Sequence, residues 1–324
     1  MYTGTVDIED FAQKSLTISS GIVNAVASTL VVTDGVRNDA ELNLTGGGSL
    51  GSDITGSGFV NILDSMTNAN TITQNYLTID EDVVLTTSGS VTVNTGLTNN
   101  GRITNSGTVA VNGITSNDGV IDGDGTLDLN EDFTNEGTIS QGRLDNAKVL
   151  TNTNTINVTT TLNNSGTISN DGTLTVGGTN NLGAIEGAGT LKTAGVLTNN
   201  VSIEQGSLEI LSDSLTSNAD TLLISNGIDN SGRLILTGGE LTSEVYGSGS
   251  TELTGDVVIS SLITDNVLDI SSRVATLSTD GELNLGGFRA NGGALDTRNG
   301  QIDHVSMGNV TLQGDMNLRL DADL

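Results

Sequence analysis

Between Ile79 and Ile139 the chain places an apolar residue at nearly every sixth position. An α-helix would bring side chains to one face every three or four residues and a flat strand every second residue, so this period indicates neither element alone. Glycine follows a related spacing, because Asn100-Gly101, Asp118-Gly119 and Glu136-Gly137 lie eighteen residues apart. Coils of about eighteen residues, each with three short strands and three corners, would explain both spacings. The pattern predicts an all-β fold, a single-stranded parallel β-solenoid.

The six-residue series is interrupted at Thr115, beside Ile114, and then recovers several times as far as Leu324. This predicts one continuous solenoid domain over residues 41–324, within a native chain that we expect to be longer. Residues 1–40 are expected to form irregular N-terminal coils or a cap, with a short helix or an irregular first coil over residues 7–16. Short slips in the series predict corner bulges over residues 142–148, 177–181, 238–250 and 286–293.

Corners are predicted where a small polar pair and a glycine precede an apolar-polar-apolar run, as in residues 105–111, 123–129 and 170–176. Glycine is expected to supply a positive φ there, and a preceding Asn or Asp tolerates the left-handed region. After each corner, alternation places one side chain in the core and the next in solvent. Asn residues at equivalent corners of successive coils are expected to stack as an amide ladder.

Composition agrees with a narrow solenoid. The 324 residues include 43 Gly, no Pro and no Cys, and aromatic residues make up only 2%. Proline lacks the amide hydrogen that a sheet ladder needs, so few positions of a solenoid tolerate it. With so few aromatic side chains, the core is expected to consist of stacked Ile, Leu and Val.

The net charge of −28 narrows the choice of partners. Nucleic acid and anionic membrane surfaces are both excluded as expected partners, because their phosphates require clustered basic residues and the few cations are scattered. We interpret the acidity as a solvated, mutually repelling surface. No apolar run is long enough to span a bilayer, and residues 1–4 lack the basic and apolar regions of a signal peptide. These features favour a cytoplasmic chain or a segment of a longer one.

Several motifs suggest chemistry, but each has a simpler structural interpretation. His304 is the only histidine, and its strand neighbours Asp303 and Ser306 do not form a triad with it. The acidic run beginning at Asp122 does not match the EF-hand, which needs Gly where Leu127 stands, and residues 46–53 miss the calcium-binding nonapeptide. Paired threonines such as Thr71 and Thr73 do not repeat coil after coil as an ice-binding face would require. We therefore expect no catalytic, cofactor-binding or metal-binding residues, and no cofactor.

Residues 97–103, 162–168 and 186–191 share the corner pattern, and residues 308–324 form a C-terminal segment that ends in the six-residue step. These segments resemble the passenger regions of bacterial autotransporters and filamentous-haemagglutinin-type adhesins. The resemblance spans roughly residues 40–324 and implies a right-handed β-helix. The sequence also favours that sense, because a left-handed hexapeptide helix requires a small residue after each apolar position and this chain does not supply one consistently.

The resemblance implies a secreted or bacterial cell-surface protein whose longer parent carries a signal peptide and a C-terminal outer-membrane barrel. We therefore expect a structural rod without enzymatic activity, an adhesin stalk or extracellular filament component. Its expected partners are a host or neighbouring-cell surface, or copies of itself. The alternative is a polysaccharide-degrading or polysaccharide-binding β-helix with its site on a corner bulge, although the absence of Trp disfavours a sugar cleft.

Overall fold

The structure is a computed structural model. It describes the backbone of residues 5–181, 183–255, 257–259, 261, 263–264, 267–277, 282–296 and 304–319. Side chains are described for residues 5–178, 183–255, 257–259, 261 and 263. The chain divides into two compact units, Met1–Thr167 and Ile168–Leu324. Each unit is a parallel β-solenoid, as the six-residue series predicts.

The first unit consists of short strands that pair in parallel with strands one coil away. In the described residues these strands are Thr5–Ile8, Phe11–Gln13, Leu16–Ile18, Ile22–Val26, Leu30–Val32, Val36–Asn38, Glu41–Thr45, Gly48–Leu50, Ile54–Thr55, Phe59–Ile62, Met66–Asn68, Thr71–Ile79, Val84–Thr87, Ser90–Asn99, Arg102–Asn105, Thr108–Val111, Thr115–Asn117, Val120–Leu129, Phe133–Asn135, Thr138–Asn146, Val149–Asn152 and Thr155–Asn164.

The second unit has the same architecture, with one 3-10 helix at Ala219–Thr221 in a twenty-residue coil between Leu208 and Ile228. The side chain of Asn218 caps this helix by accepting a hydrogen bond from the Asp220 amide. The strands described here are Thr167–Asn170, Thr173–Val176, Thr179–Asn181, Ile185–Glu186, Thr190–Thr193, Leu197–Asn199, Ile203–Gln205, Ser207–Ile210, Ser214–Ser217, Leu222–Ile224, Ile228–Asn230, Arg233–Leu236, Gly239–Leu241, Val245–Tyr246, Ser250–Leu253, Val257–Ile259, Ile263–Thr264, Val267–Leu277, Glu282–Asp296 and His304–Arg319.

Strand register confirms the eighteen-residue coil. Leu85 pairs with Ile103, Ile103 with Ile121, and Ile121 with Ile139, so one side of the solenoid stacks aliphatic side chains directly above one another. All four are fully buried. Alternation within the short strands directs these side chains inward and their neighbours outward. The right-handed sense stays a prediction.

The four predicted bulges are wrong, because those residues form strands and the short turns between them and not inserted loops. Coils shorter or longer than eighteen residues account for the slips, as in the twenty-residue step from Leu208 to Ile228. Residues 142–146 continue the strand Thr138–Asn146, where Leu127 pairs with Leu144 after seventeen residues. Residues 179–181 form a strand after a two-residue turn, residues 238–250 contain two short strands, and residues 286–293 lie inside Glu282–Asp296.

The N-terminal region also differs from one expectation. The helix considered for residues 7–16 is wrong, because strands occupy Thr5–Ile8 and Phe11–Gln13. Thr5–Ile8 pairs with Ile22–Val26, and Ile22–Val26 pairs with Glu41–Thr45. Coil stacking therefore begins well before residue 40, while the proposal of a separate cap over residues 1–40 stays a prediction.

The role predicted for the corner glycines is wrong at the most regular corners. Gly101, Gly119 and Gly137 are not among the residues with positive φ. They stack on one another so closely that a Cβ on Gly119 would lie 2.0 Å from the Gly101 carbonyl oxygen, and a Cβ on Gly137 would lie 2.0 Å from the Gly119 oxygen. Glycine is required at these corners because successive coils touch there. Positive φ does occur at other corner glycines, such as Gly123.

The predicted amide ladder is confirmed inside the core. Asn99 Nδ2 donates to Asn117 Oδ1 (2.6 Å), Asn117 Nδ2 donates to Asn135 Oδ1 (2.8 Å), and Asn135 Nδ2 donates to Asn152 Oδ1 (2.8 Å). We call these four residues the buried asparagine ladder, since each is fully buried. The same amides also donate to corner carbonyl oxygens, for example Asn117 Nδ2 to Gly119 O (3.2 Å). Side chains therefore satisfy polar backbone groups that the corner would otherwise leave unpaired.

A second buried amide arrangement spans three coils. Asn105 Nδ2 donates to Gln141 Oε1 (2.9 Å), although the two residues are 36 positions apart and a whole coil lies between them. The intervening coil carries Gly123-Asp124-Gly125, and a Cβ on Gly125 would lie 2.7 Å from Asn105 Nδ2. The glycines leave the room in which the two amides meet. The same bridge joins Asn38 to Gln74 across residues 56–58, and Asn170 to Gln205 across residues 187–189.

Candidate functional site

The residues considered for chemistry from sequence are not gathered into one site. The His304 backbone pairs with Glu282 in the last described strands, and its side chain lies outside the described residues. Asp122 forms an ion pair with Arg102, while Asp132 accepts a hydrogen bond from the Val149 amide (3.2 Å). Within the described residues, no group of three or more His, Cys, Asp or Glu side chains could hold a metal ion.

The glycine-rich segment at residues 46–53 serves as a corner. Gly46, Gly47 and Gly48 all have positive φ, and the Gly46 amide donates to Asp64 Oδ2 (2.7 Å) in the next coil. A Cβ on Gly48 would lie 2.6 Å from the Ser28 Cβ. Both conformation and close packing therefore explain the glycines.

Exposed carboxylates form local contacts with the nearest cation. The Arg37 guanidinium donates to Asp39 Oδ2 (2.7 Å), and the Ser57 amide donates to Asp39 Oδ1 (3.1 Å). The hydrogen bond from Arg37, followed by that from Ser57, holds the pKa of the Asp39 carboxyl below its usual range. The hydrogen bond to Asp145 raises the pKa of Arg143 in the same manner. Both ion pairs join residues two positions apart, and the Ser57 amide links Asp39 to the next coil.

Asp39 should stabilise the fold in a pH-dependent way. Because its folded-state pKa lies below the ordinary value of 3.8, its contribution is fully present above that pH and is lost as the pH falls through the lowered pKa. We expect the Asp39→Asn variant to be less stable than the wild type at pH 6, with the difference shrinking below about pH 4. Urea denaturation of both proteins between pH 2.5 and 7 checks this. A difference that stays constant across that range would contradict it.

One open groove in the first unit combines apolar and hydroxyl groups. Phe59 pairs with Tyr76, and Tyr76 pairs with Gly96, so these positions form one outward-facing column across three coils. Thr98 pairs with Ser116, and the same eighteen-residue register aligns Gly96 with Ile114 in the next coil. The Phe59 and Tyr76 rings stack with centroids 4.3 Å apart and planes 5° apart. We call these four positions the ring column.

Glycine interrupts the ring column at its third position. A Cβ on Gly96 would lie 3.3 Å from Tyr76 Cδ1, so Tyr76 faces Gly96 on the side opposite Phe59. Ile114 faces outward and is 78% exposed, whereas the apolar core positions that the structure describes are buried. A groove of about 480 Å³ occupies this position, with Tyr76, Gly96 and Ile114 on its wall.

Thr115 explains why Ile114 faces outward. The Thr115 side chain occupies the inward position of the six-residue series and is only 6% exposed. Its Oγ1 accepts a hydrogen bond from the Leu97 amide (3.1 Å) and donates to the Gly113 carbonyl (3.0 Å). A side-chain hydroxyl thus replaces a backbone group in the ladder at this point. The residue that interrupts the six-residue apolar series, Thr115, therefore turns Ile114 outward beside the groove.

Hydroxyl groups line the groove beside the ring column. Thr98 pairs with Ser116 and Ser116 pairs with Thr134, so three hydroxyl side chains follow the coils in an outward row, and Thr95 adds a fourth at the edge. The groove lining contains no ionisable group other than the Tyr76 phenol. The arrangement can pack an apolar ring face and exchange hydrogen bonds with hydroxyl groups. Sequence reasoning missed it because strand register, and not sequence proximity, brings Tyr76, Gly96 and Ile114 together.

In the described part of the chain, no helix is both long and apolar enough to cross a membrane. Comparison with known proteins finds no matching family model, no matching curated protein and no matching solved structure. The parallel pairing of strands about one coil apart defines the class as the parallel β-solenoid, and the autotransporter or adhesin type stays a proposal.

Proposed function

We propose that the protein is a structural component of a bacterial cell surface or of the extracellular space, an adhesin stalk or filament subunit of autotransporter type without catalytic activity. The supporting observation is the in-register stack of coils, held by the backbone ladder and by buried amide side chains such as Asn99, Asn117 and Asn135. Such a fold adds length coil by coil without needing a larger core. Its partners would be a host or neighbouring cell surface, or further copies of the chain.

The charge and the corners support the same proposal. A net charge of −28 keeps the surface hydrated, which suits a protein exposed outside the cell. The sequence resemblance to autotransporter passengers supplies the secretion route. The motifs behind that resemblance are corners such as residues 97–103, which the structure places where successive coils meet.

Solution measurements test the scaffold. We expect a circular dichroism spectrum dominated by β structure and a radius of gyration from X-ray scattering well above about 20 Å, the value for a compact globule of 324 residues. A helical spectrum or a globular scattering curve would contradict the proposal. Cellular location is tested by protease treatment of intact producing cells, since a surface protein is cleaved and an internal one is protected. Turnover of any glycan that is abolished by a single Asp or Glu substitution would overturn the absence of catalysis.

A further inference from the structure

We propose that the gap at Gly96 in the ring column binds one pyranose ring of a neutral glycan. This site goes beyond the scaffold role and does not depend on it. Adjacent coils are about 4.8 Å apart. Tyr76 and Ile114 lie two coils apart in the ring column and are therefore separated by about 10 Å. A carbon contact needs about 4 Å on each side. The gap is therefore about the thickness of one saturated six-membered ring.

The stacked pair shows that the ring column accepts rings at this spacing. Phe59 covers one face of Tyr76, which leaves the face toward Gly96 for a ligand. Since Gly96 has no side chain, a ligand ring would continue the stack in the place of the missing group. Ile114 would close the other side, and its 78% exposure would fall on binding. The C–H face of a pyranose packs well on an aromatic ring, so Tyr76 and Ile114 fit its two faces.

The hydroxyl row selects a sugar over an aromatic molecule. Thr98 and Ser116 lie two residues along the strands from Gly96 and Ile114, which places their hydroxyls about 7 Å from the ring column. Equatorial hydroxyls at the rim of a pyranose in the gap would reach this row and exchange hydrogen bonds with it. An aromatic hydrocarbon would leave the row without new partners and gain only the apolar contacts.

Charge selects a neutral ligand. The chain carries −28 overall, and Asp132 is the next position after Ile114 in the ring column. The groove lining supplies no cation to balance a uronate or sulfate group. An anionic glycan would therefore meet repulsion without compensation. A neutral glycan meets none.

Calorimetric titration of the full chain tests the site, with neutral gluco-, manno- and galacto-oligosaccharides, an oligouronate and the aromatic hydrocarbon toluene as probes. We expect at least one neutral oligosaccharide to bind, and neither of the other two probe types. The Gly96→Leu variant fills the gap with an apolar side chain and should abolish binding. The Tyr76→Ala variant should weaken it on the order of tenfold, through loss of one stacking face.

Matched controls separate the site from the fold. Tyr246 is exposed to a similar degree as Tyr76 but lies outside the groove, so the Tyr246→Ala variant should bind as the wild type does. Circular dichroism and urea denaturation of the Gly96→Leu variant check whether it keeps its fold. The proposal is overturned if no neutral oligosaccharide binds the wild type, if only the oligouronate or the aromatic probe binds, or if a folded Gly96→Leu variant binds as well as the wild type. Failure here with an intact β spectrum and an extended scattering curve leaves the scaffold proposal standing.

Discussion

The Asn117→Ala variant is expected to lower the free energy of unfolding by about 3 kcal/mol. Asn117 is in the middle of the buried asparagine ladder, where its Oδ1 accepts from Asn99 and its Nδ2 donates to Asn135. Alanine removes both ladder hydrogen bonds and the hydrogen bond to Gly119 O, leaves the Asn135 oxygen without this donor inside the core, and opens a cavity. Urea denaturation monitored by circular dichroism measures the loss, together with hydrogen exchange of the adjacent amides.

The chain contains its own control for this effect. Asn112 also stands in an asparagine row with eighteen-residue steps, since its Nδ2 donates to Asn94 Oδ1 (3.1 Å) and its Oδ1 accepts from Asn130 (3.0 Å). That row lies on the outer surface, where water replaces a lost partner. The Asn112→Ala variant should therefore change stability by less than about 0.5 kcal/mol. Equal losses for the two variants would show that burial does not govern the effect of the ladder.

The Gly119→Ala variant is expected to be destabilised by about 3 kcal/mol or more. The added Cβ would lie 2.0 Å from the Gly101 carbonyl oxygen, a separation that only a backbone shift can relieve. That shift would strain the hydrogen bonds from the Gly119 amide to Asn99 O (2.8 Å) and from the Val120 amide to Gly101 O (2.9 Å). The same denaturation experiment measures the loss.

Gly96→Ala is the matched comparison for Gly119→Ala. Its Cβ would meet the half-exposed Tyr76 ring at 3.3 Å, and neither glycine has a positive φ. Tyr76 can move by a few tenths of an ångström, so the change in stability should stay within about 1 kcal/mol of zero. If Gly119→Ala proves as stable as Gly96→Ala, close contact between coils cannot be the reason for the corner glycines.

The coil and its phase could be predicted from sequence because burial repeats wherever the chain repeats. The apolar positions of the six-residue series from Leu85 to Ile139 are buried, and Leu85, Ile103 and Ile121 stack as the eighteen-residue interval requires. The asparagine ladder was predictable for the same reason, since equal positions of stacked coils must face each other. Periodicity gives these features without any knowledge of the third dimension.

Features that depend on contacts between coils could not be predicted in that way. A corner glycine with positive φ and one crowded by a carbonyl oxygen look identical in sequence, so the sequence predicts the wrong reason for the glycine at Gly119. A slip from a missing residue resembles a slip from an inserted loop, and residues 142–146 of the predicted bulge instead continue a strand. The groove depends on the strand register that aligns Tyr76, Gly96 and Ile114. Tyr76 and Gly96 are twenty residues apart, whereas Gly96 and Ile114 are eighteen apart, so one constant interval does not align all three.

The three-coil amide bridges limit how this protein can change its length in evolution. Each bridge requires an Asn, a Gly-x-Gly corner in the next coil and a Gln in the coil after that, as in Asn105, residues 123–125 and Gln141. Duplication of a coil inside such a block would separate the two amides and bury both without their partner. Duplication between blocks, for example within residues 75–104, keeps every bridge intact. Homologous chains of different length should therefore differ by whole coils outside these blocks.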